Sequence, residues 1–512
     1  MTGGEVFTVP TLPMETHRVA HQLPVLRVGG LTPSSLDPAF ARSETELEIA
    51  SLVFEPLVGL DSRGRPVPGA AVEWETTDNV EWTFHLDPAG SFHNGELVSA
   101  DSFIAAMEFL ADPDTAAPNA YLGLEAGILG FEEMLRREAD EIVGLVGVDE
   151  STLQVTLTEP NALLPSILAH QAFAPRSSLA LGEDAPKSMQ LIGNGSYVML
   201  DRWDGVTTIS LTPSTIVDPA TSHRVQYVFH DSVELMYANK TLDIAHVPAE
   251  KMAVLRSGPL ADRLIEGSSG SYSYIGFPLD QAPFDDPDIR RALSLAIDRE
   301  QLVADVFNSG YAPARGFAPA DSPGSVDLDC EFCGHNEVKA RRLVEEAGGF
   351  GVEEIELAFN TGNGHEEWVQ AVGAQWAQVF GIEVHFKPEG LAPYFEAIEA
   401  GEVAGPYRMK WSVDYAHAMS LLDSLFVGEE NATVGYQSTA IDQAAAELHS
   451  LNDPYGVEGS GLVSGIVKRL NQDMPIIPVF APVHARRLSG RVSEVQLNLD
   501  GSVRLEDAIL SR

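Results

Sequence analysis

Residues 81–110, EWTFHLDPAGSFHNGELVSADSFIAAMEFL, carry the pattern that decides the fold. The first six residues alternate polar and apolar side chains, which predicts a half-buried β-strand. The segment VSADSFIAAMEFL (98–110) has a serine cap and apolar residues at helical spacing, which predicts an amphipathic helix. A strand followed by such a helix is typical of an α/β protein.

The same alternation of strands and helices continues along the chain. Strands are predicted at 25–29, 81–86, 152–157, 197–203, 207–211, 224–229, 353–360 and 382–386, and helices at 43–60, 98–110, 285–303, 336–349 and 370–381. Two β-rich blocks (80–160 and 190–230) precede a block rich in both elements (about 272–480), and no repeat of fixed period occurs. This order predicts α/β lobes that the chain crosses between more than once.

The composition is that of a large, acidic globular protein. A length of 512 residues predicts about three domains. There are 75 Asp and Glu residues against 32 Lys and Arg residues, which gives a net charge of −43. Nucleic acid is therefore excluded as a partner, because phosphate binding needs a basic surface. An anionic membrane surface would repel the chain as well. The charge indicates a solvated surface, or alternatively a preference for cationic ligands.

Cys330 and Cys333 form a single C-x-x-C pair. A small loop disulfide or two free thiols is the favoured interpretation, because a zinc site needs four ligands and only His335 stands nearby. A weak metal site and a redox role remain as alternatives.

Motifs of the common enzyme classes are missing from the sequence. It contains no P-loop, no G-x-G-x-x-G after a strand and no G-x-S-x-G elbow. The segment GHEEWVQ (364–370) has Val369 where a zinc-protease helix needs its second histidine. We therefore predict no metal, no cofactor and no catalytic residue, although carboxylates are too abundant for a catalytic pair to be recognised by sequence alone.

Several separated segments together resemble one family, the extracellular solute-binding proteins of family 5, which serve oligopeptide and dipeptide ABC importers. WTFHLDPAGSFHNGELVSADSF (82–103) is the most recognisable of them. The others are LDPAF (36–40), FEPLVGLD (54–61), LADPDTAAPNAY (110–121), TLQVTLTEP (152–160), GNGSYVML (193–200), QAPFDDPDIRRALSLAIDRE (281–300), KWSVDY (410–415) and MPIIPVF (474–480). The resemblance covers residues 25 to 510.

The resemblance implies a type II periplasmic-binding-protein fold, with two lobes, a hinge and an extra α/β domain. Lobe I would comprise residues 20–48, 172–271 and 485–512, and the extra domain would be 49–171. Lobe II would be 272–484, with hinge strands near 271 and 484. Proteins of this kind close on their ligand by hinge rotation and bury it between the lobes.

The resemblance also places the ligand's amino end. In the family, the element that corresponds to Trp411, Ser412 and Asp414 pairs with the peptide main chain, and the aspartate accepts the α-ammonium group. Such an edge serves peptides of any sequence, because main-chain hydrogen bonds do not depend on side chains. The alternative for Asp414 is an ordinary carboxylate, such as a helix cap.

Arg408 and His365 match family residues that meet the ligand's carboxylate. Arginine suits this role because its guanidinium group can donate two parallel hydrogen bonds. The alternatives are a surface salt bridge for Arg408 and a solvated loop or helix-start histidine for His365.

Further ligand contacts implied by the resemblance are the aromatic side chains Tyr121, Trp411 and Tyr415 and the backbone of Ser43, Glu44 and Thr45. An ordinary core position is the alternative for the aromatics, and a helix cap is the alternative for the serine segment.

The sequence also departs from the family. Asp305, Val306 and Phe307 stand where some members have a basic residue, and Glu399 occupies another basic position. A family disulfide is absent on both sides, at Ser271 and at the serine after Trp411. The carboxylate end of the site is therefore less basic, so the ligand could be shorter, cationic or not a peptide.

We therefore predict a solute-binding receptor that captures a peptide or peptide-like ligand, works as a monomer and delivers to ABC permease subunits outside the cytoplasm. Residues 1–30 show no signal peptide. Either a leader has been removed or the protein stays in the cytoplasm. The alternative function is accordingly a cytoplasmic homologue, repurposed as an enzyme or carrier for a small metabolite.

Overall fold

The structure is a computed structural model of the chain. The residues that it describes are 21–181, 191–215, 222–268, 270–318, 322–325, 328, 330–362, 364–428, 434–498 and 500–511. Residues 1–20, which belong to the N-terminal segment considered for a signal peptide, lie outside these ranges. Within these ranges, no helix is both long and apolar enough to cross a bilayer.

The secondary structure is mixed throughout. The strands are β1 Val25–Leu31, β2 Val58–Leu60, β3 Pro66–Pro68, β4 Ala71–Thr76, β5 Glu81–Leu86, β6 Leu145–Asp149, β7 Thr152–Thr156, β8 Tyr197–Met199, β9 Thr208–Pro213, β10 Arg224–His230, β11 Ile244–His246, β12 Leu264–Ser268, β13 Tyr272–Gly276, β14 Tyr311–Pro313, β15 Glu354–Asn360, β16 Glu383–Glu389, β17 Tyr407–Trp411, β18 Ile477–Leu488, β19 Val492–Ser493 and β20 Ile509–Leu510. The helices are α1 Glu44–Val53, α2 Ala100–Ala111, α3 Tyr121–Ala126, α4 Phe131–Leu135, α5 Leu164–Ile167, α6 Val233–Ala238, α7 Met252–Ser257, α8 Pro287–Leu295, α9 Arg299–Phe307, α10 Glu337–Glu346, α11 His365–Phe380, α12 Leu391–Glu399, α13 Met419–Phe426, α14 Thr439–His449 and α15 Val457–Asp473.

The chain folds into two compact units. The first extends to Val247 and also takes Asp262–Ile265 and the residues from Ala485 onward. The second comprises Pro248–Ala261 and Glu266–His484. Because the division falls between His484 and Ala485, the chain passes from one unit to the other within strand β18.

The larger sheet of the first unit is built around β1. This strand runs parallel to both β10 and β11, and β9 and β8 continue the sheet in antiparallel register. Gly30 in β1 lies against Thr45 of helix α1, and a Cβ atom added there would come within 2.7 Å of the threonine side chain. The close packing of α1 on the sheet therefore depends on glycine at this position.

A smaller antiparallel sheet in the same unit has the strand order β4-β5-β7-β6. It contains the predicted strand at 81–86, and helix α2 follows it with Ser99 as N-cap, so both sequence predictions are confirmed. Near this helix, Arg176 donates two hydrogen bonds to Asp37, of 2.8 and 2.6 Å, and both side chains are buried. Arg176 also lies over the ring of Phe109.

The sheet of the second unit has the order β16-β15-β17-β13-β18. The single helix predicted at 285–303 is wrong, because the structure has two helices, α8 and α9. The break occurs where the Asp298 side chain accepts the N–H of Gln301 and so caps a new helix.

Cys330 and Cys333 form a disulfide, which excludes free thiols at this position. The carbonyl group of Cys333 accepts a hydrogen bond from Arg299, a buried side chain that also donates to Pro478. The loop with the disulfide is therefore tied to the sheet of the second unit.

Candidate functional site

Strand β17 gives the second unit a partly unpaired sheet edge. It pairs with β13 along its whole length, from Tyr407 to Trp411. On its other side it pairs with β15 at Tyr407 alone. Within the described part of the chain, the stretch 408–411 therefore has a neighbouring strand on one side only. An edge of this kind can pair with an extended ligand main chain.

Arg408 on this strand is buried, with 6% of its surface exposed. It donates a hydrogen bond of 2.8 Å to the Asn360 side chain, and its Nε has no partner among the described residues. No described carboxylate pairs with it, and burial lowers its pKa. The structure therefore contradicts a surface salt bridge as its role. A buried guanidinium group without an anion is costly, so the site is suited to receive one.

His365 and Lys410 extend this positive cluster. His365 is the first residue of α11, so it stands at the positive end of a long helix dipole. Burial lowers the pKa of His365 to about 4, and the charges of Arg408 and Lys410 contribute to that shift. His365 is therefore neutral near pH 7. The positive potential around it would stabilise a bound anion. The described residues contain no cluster of metal ligands.

The end of β17 and the loop after it hold four more of the predicted residues. Trp411 is half-buried and lies on the opposite strand face from Arg408, because successive side chains alternate. Ser412 is exposed and Asp414 is half-buried. The main-chain N–H of Asp414 donates to the Ser420 side chain over 3.0 Å. Tyr415 is buried, as its core alternative requires, and its hydroxyl group donates to a carboxylate on the next helix.

In the first unit, the predicted serine segment forms the start of helix α1. Ser43 is the N-cap of a capping box with Glu46, which confirms the helix-cap interpretation. Glu44 accepts a hydrogen bond of 2.6 Å from Arg486, and Thr45 accepts the N–H of Leu31.

Tyr121 also belongs to the first unit. It is the first residue of α3 and is 39% exposed, which contradicts the core alternative.

Asn360 was not identified from the sequence, although it belongs to the cluster around Arg408. It is buried and ends strand β15, directly before a turn that contains Gly362. A polar residue at the carboxyl end of a predicted parallel strand was the available signal, because ligands of open α/β sheets collect at that edge.

The chain belongs to the bacterial extracellular solute-binding proteins of family 5, because the family model described as "Bacterial extracellular solute-binding proteins, family 5 Middle" matches residues 65–433. It is 26% identical to the periplasmic oligopeptide-binding protein OppA of Salmonella typhimurium, over 92% of this chain and 89% of the relative. It is also 26% identical to the periplasmic murein peptide-binding protein MppA of Escherichia coli, over 89% and 87%.

A solved structure of MppA in its unliganded open form has a TM-score of 0.83 at 24% identity and covers 96% of this chain and 98% of that one. The predicted type II periplasmic-binding-protein fold is thereby confirmed. The chain is a solute-binding protein, and the alternative of a cytoplasmic enzyme or carrier finds no support in these comparisons.

Proposed function

We propose that the protein is a receptor that captures a peptide or peptide-like ligand outside the cytoplasm and delivers it, as a monomer, to the permease subunits of an ABC importer. The observation that carries this proposal is the buried Arg408, which has no carboxylate partner among the described residues. The names of the relatives, which describe oligopeptide and murein peptide binding, support the same ligand class.

The ligand's C-terminal carboxylate supplies the anion that this guanidinium group lacks. A hydrogen bond to a charged group contributes about 1.5–3 kcal/mol. Arg408 has donors to spare, because its Nη1 donates to Asn360 while its Nε has no partner among the described residues. Lys410 and the N-terminus of α11 at His365 add positive potential.

Strand β17 and the loop after it bind the main chain and the α-ammonium group of the peptide. The edge at 408–411 pairs with the ligand main chain, and Asp414 accepts the α-ammonium group. Trp411 and Tyr121 supply apolar surface for ligand side chains, while Ser43 to Thr45 supply backbone groups. The domain boundaries stated above, with lobe I in three segments, the extra domain at 49–171 and lobe II at 272–484, form part of this proposal.

Isothermal titration calorimetry with a short peptide panel tests the proposal. A tripeptide with both charged ends should bind, and its N-acetylated and C-amidated forms should bind more weakly. Asp414→Asn should weaken the free tripeptide by about tenfold or more and leave the N-acetylated form nearly unchanged. Asp262→Asn is the matched control, because that aspartate is exposed at the surface and has no place in the proposed site. The peptide assignment fails if the panel produces neither heat nor a thermal shift.

A further inference from the structure

A buried hydroxyl group holds the loop that carries Asp414. Ser420, the second residue of α13, is fully buried. Its Oγ accepts the main-chain N–H of Asp414 over 3.0 Å and that of Tyr415 over 3.4 Å. The N–H groups of two consecutive loop residues thus donate to one oxygen atom. That oxygen belongs to helix α13 and not to the loop.

A second anchor lies one helical turn further along α13. The hydroxyl group of Tyr415 donates to Asp423 Oδ2 over 3.2 Å. The same carboxylate oxygen lies 2.9 Å from Nε2 of His449, the last residue of α14. Since Ser420 and Asp423 are three residues apart, they face the loop from the same side of the helix.

The placement of Asp414 therefore depends on side chains beyond it. A charge-assisted hydrogen bond needs its acceptor within a few tenths of an ångström of the ideal position. The amide group that Ser420 accepts belongs to Asp414 itself, so the bond fixes the backbone from which the carboxylate projects.

We infer that Ser420 and the Asp423–His449 pair are positioning residues, which set the affinity for the ligand's α-ammonium group through Asp414 without touching the ligand. This inference rests on the proposed function, and it adds a specificity role that the resemblance to the family did not supply. If it holds, a substitution that removes either anchor weakens binding selectively for ligands with a charged amino end.

The test compares Ser420→Ala with Ser424→Ala by calorimetry. Ser424 is the matched control, because it sits one turn away on α13 and its hydroxyl group donates to the Ser420 carbonyl group. The quantity measured is the affinity ratio between a tripeptide and its N-acetylated form. We expect Ser420→Ala to reduce that ratio about three- to tenfold, which corresponds to loss of the shorter of its two hydrogen bonds, the one from the Asp414 N–H. Ser424→Ala should leave the ratio unchanged, and Ser420→Thr, which keeps the hydroxyl group, should restore it.

The outcomes separate this inference from the proposed function. A wild-type ratio near one refutes both, since no ammonium site would exist. A high wild-type ratio that Ser420→Ala leaves intact, or an equal loss for both peptides, overturns the positioning role alone. If Ser420→Ala does not fold, Asp423→Asn decides instead, because it removes the ion pair with His449 and must lower the same ratio.

Discussion

Replacement of Arg408 by methionine separates the free energy of ligand binding from the stability of the fold. Methionine has a similar length and no charge, so it fills the same space on β17 without the guanidinium group. The arginine is buried, burial lowers its pKa, and its side-chain partner among the described residues is the neutral Asn360. The ligand-free protein therefore loses one hydrogen bond and also loses the cost of a buried charge without an anion.

In the ligand-free protein, the lost hydrogen bond lowers the free energy of unfolding and the removed buried charge raises it. In the complex, the lost hydrogen bond and the lost charge both weaken ligand binding. We expect the free energy of unfolding of ligand-free Arg408→Met to stay within about 1 kcal/mol of the wild type or to rise. Loss of a charge-assisted hydrogen bond of about 1.5–3 kcal/mol should weaken binding of a free-acid tripeptide about 12- to 160-fold.

The assay is calorimetry near pH 7 with a tripeptide and its C-terminal amide, combined with urea unfolding of the ligand-free protein. The amide should bind wild type and Arg408→Met about equally, because it carries no terminal charge. Arg315→Met serves as the control, since Arg315 is highly exposed and pairs with Glu300 at the surface. An equal loss for acid and amide, or a large loss of stability without ligand, would refute the role of Arg408 as the carboxylate partner.

Three further predictions concern the fold itself. Arg176→Met should lower the free energy of unfolding by about 3–5 kcal/mol in urea, because it leaves the Asp37 carboxylate buried without its partner. His417 is buried and its pKa is lowered to about 3, so it is neutral in the fold and takes up a proton on unfolding below its ordinary pKa. The contribution of His417 to stability should thus be complete above about pH 6.5 and fall by up to about 1.4 kcal/mol per pH unit below it, and His417→Asn should reduce the measured slope by that amount in urea titrations at several pH values. Replacement of Cys330 and Cys333 by serine should cost about 2 kcal/mol of unfolding free energy, since the closed loop is short, and reductant should have the same effect on the wild type.

A matched variant separates the loss of the buried ion pair from a nonspecific loss of stability. Arg136→Met removes an exposed ion pair with Glu132 and should cost less than about 1 kcal/mol. The buried-pair argument fails if Arg136→Met costs as much as Arg176→Met, and the histidine argument fails if His417→Asn keeps the full slope.

Short-range patterns in the sequence were sufficient for most elements. The strand at 81–86, the helix capped by Ser99 and the cap at Ser43 were all predicted, because periodicity and capping involve residues a few positions apart. The helix at 285–303 was predicted too long, although Asp298 carried the signal for a second cap. The apolar pattern continued across the break and outweighed that signal.

The candidate site was predicted only in part. The resemblance supplied Arg408, His365 and Asp414 as site residues, but no pattern in the sequence around them states which of them is buried or charged in the fold. The tertiary structure decided that Arg408 is buried beside Asn360 with no carboxylate partner in the described ranges, and that Ser420 holds the loop.

The sequence by itself therefore determined most of the elements, the family resemblance and the strongly acidic composition, all of which are properties of neighbouring residues or of the chain as a whole. Only the tertiary structure decided the electrostatic environment of each site residue. Whether a residue is buried, and whether its charge has a partner, depends on segments far apart in the chain, such as β15 and β17. Those segments also create the dielectric environment that sets the interaction energy of the charge.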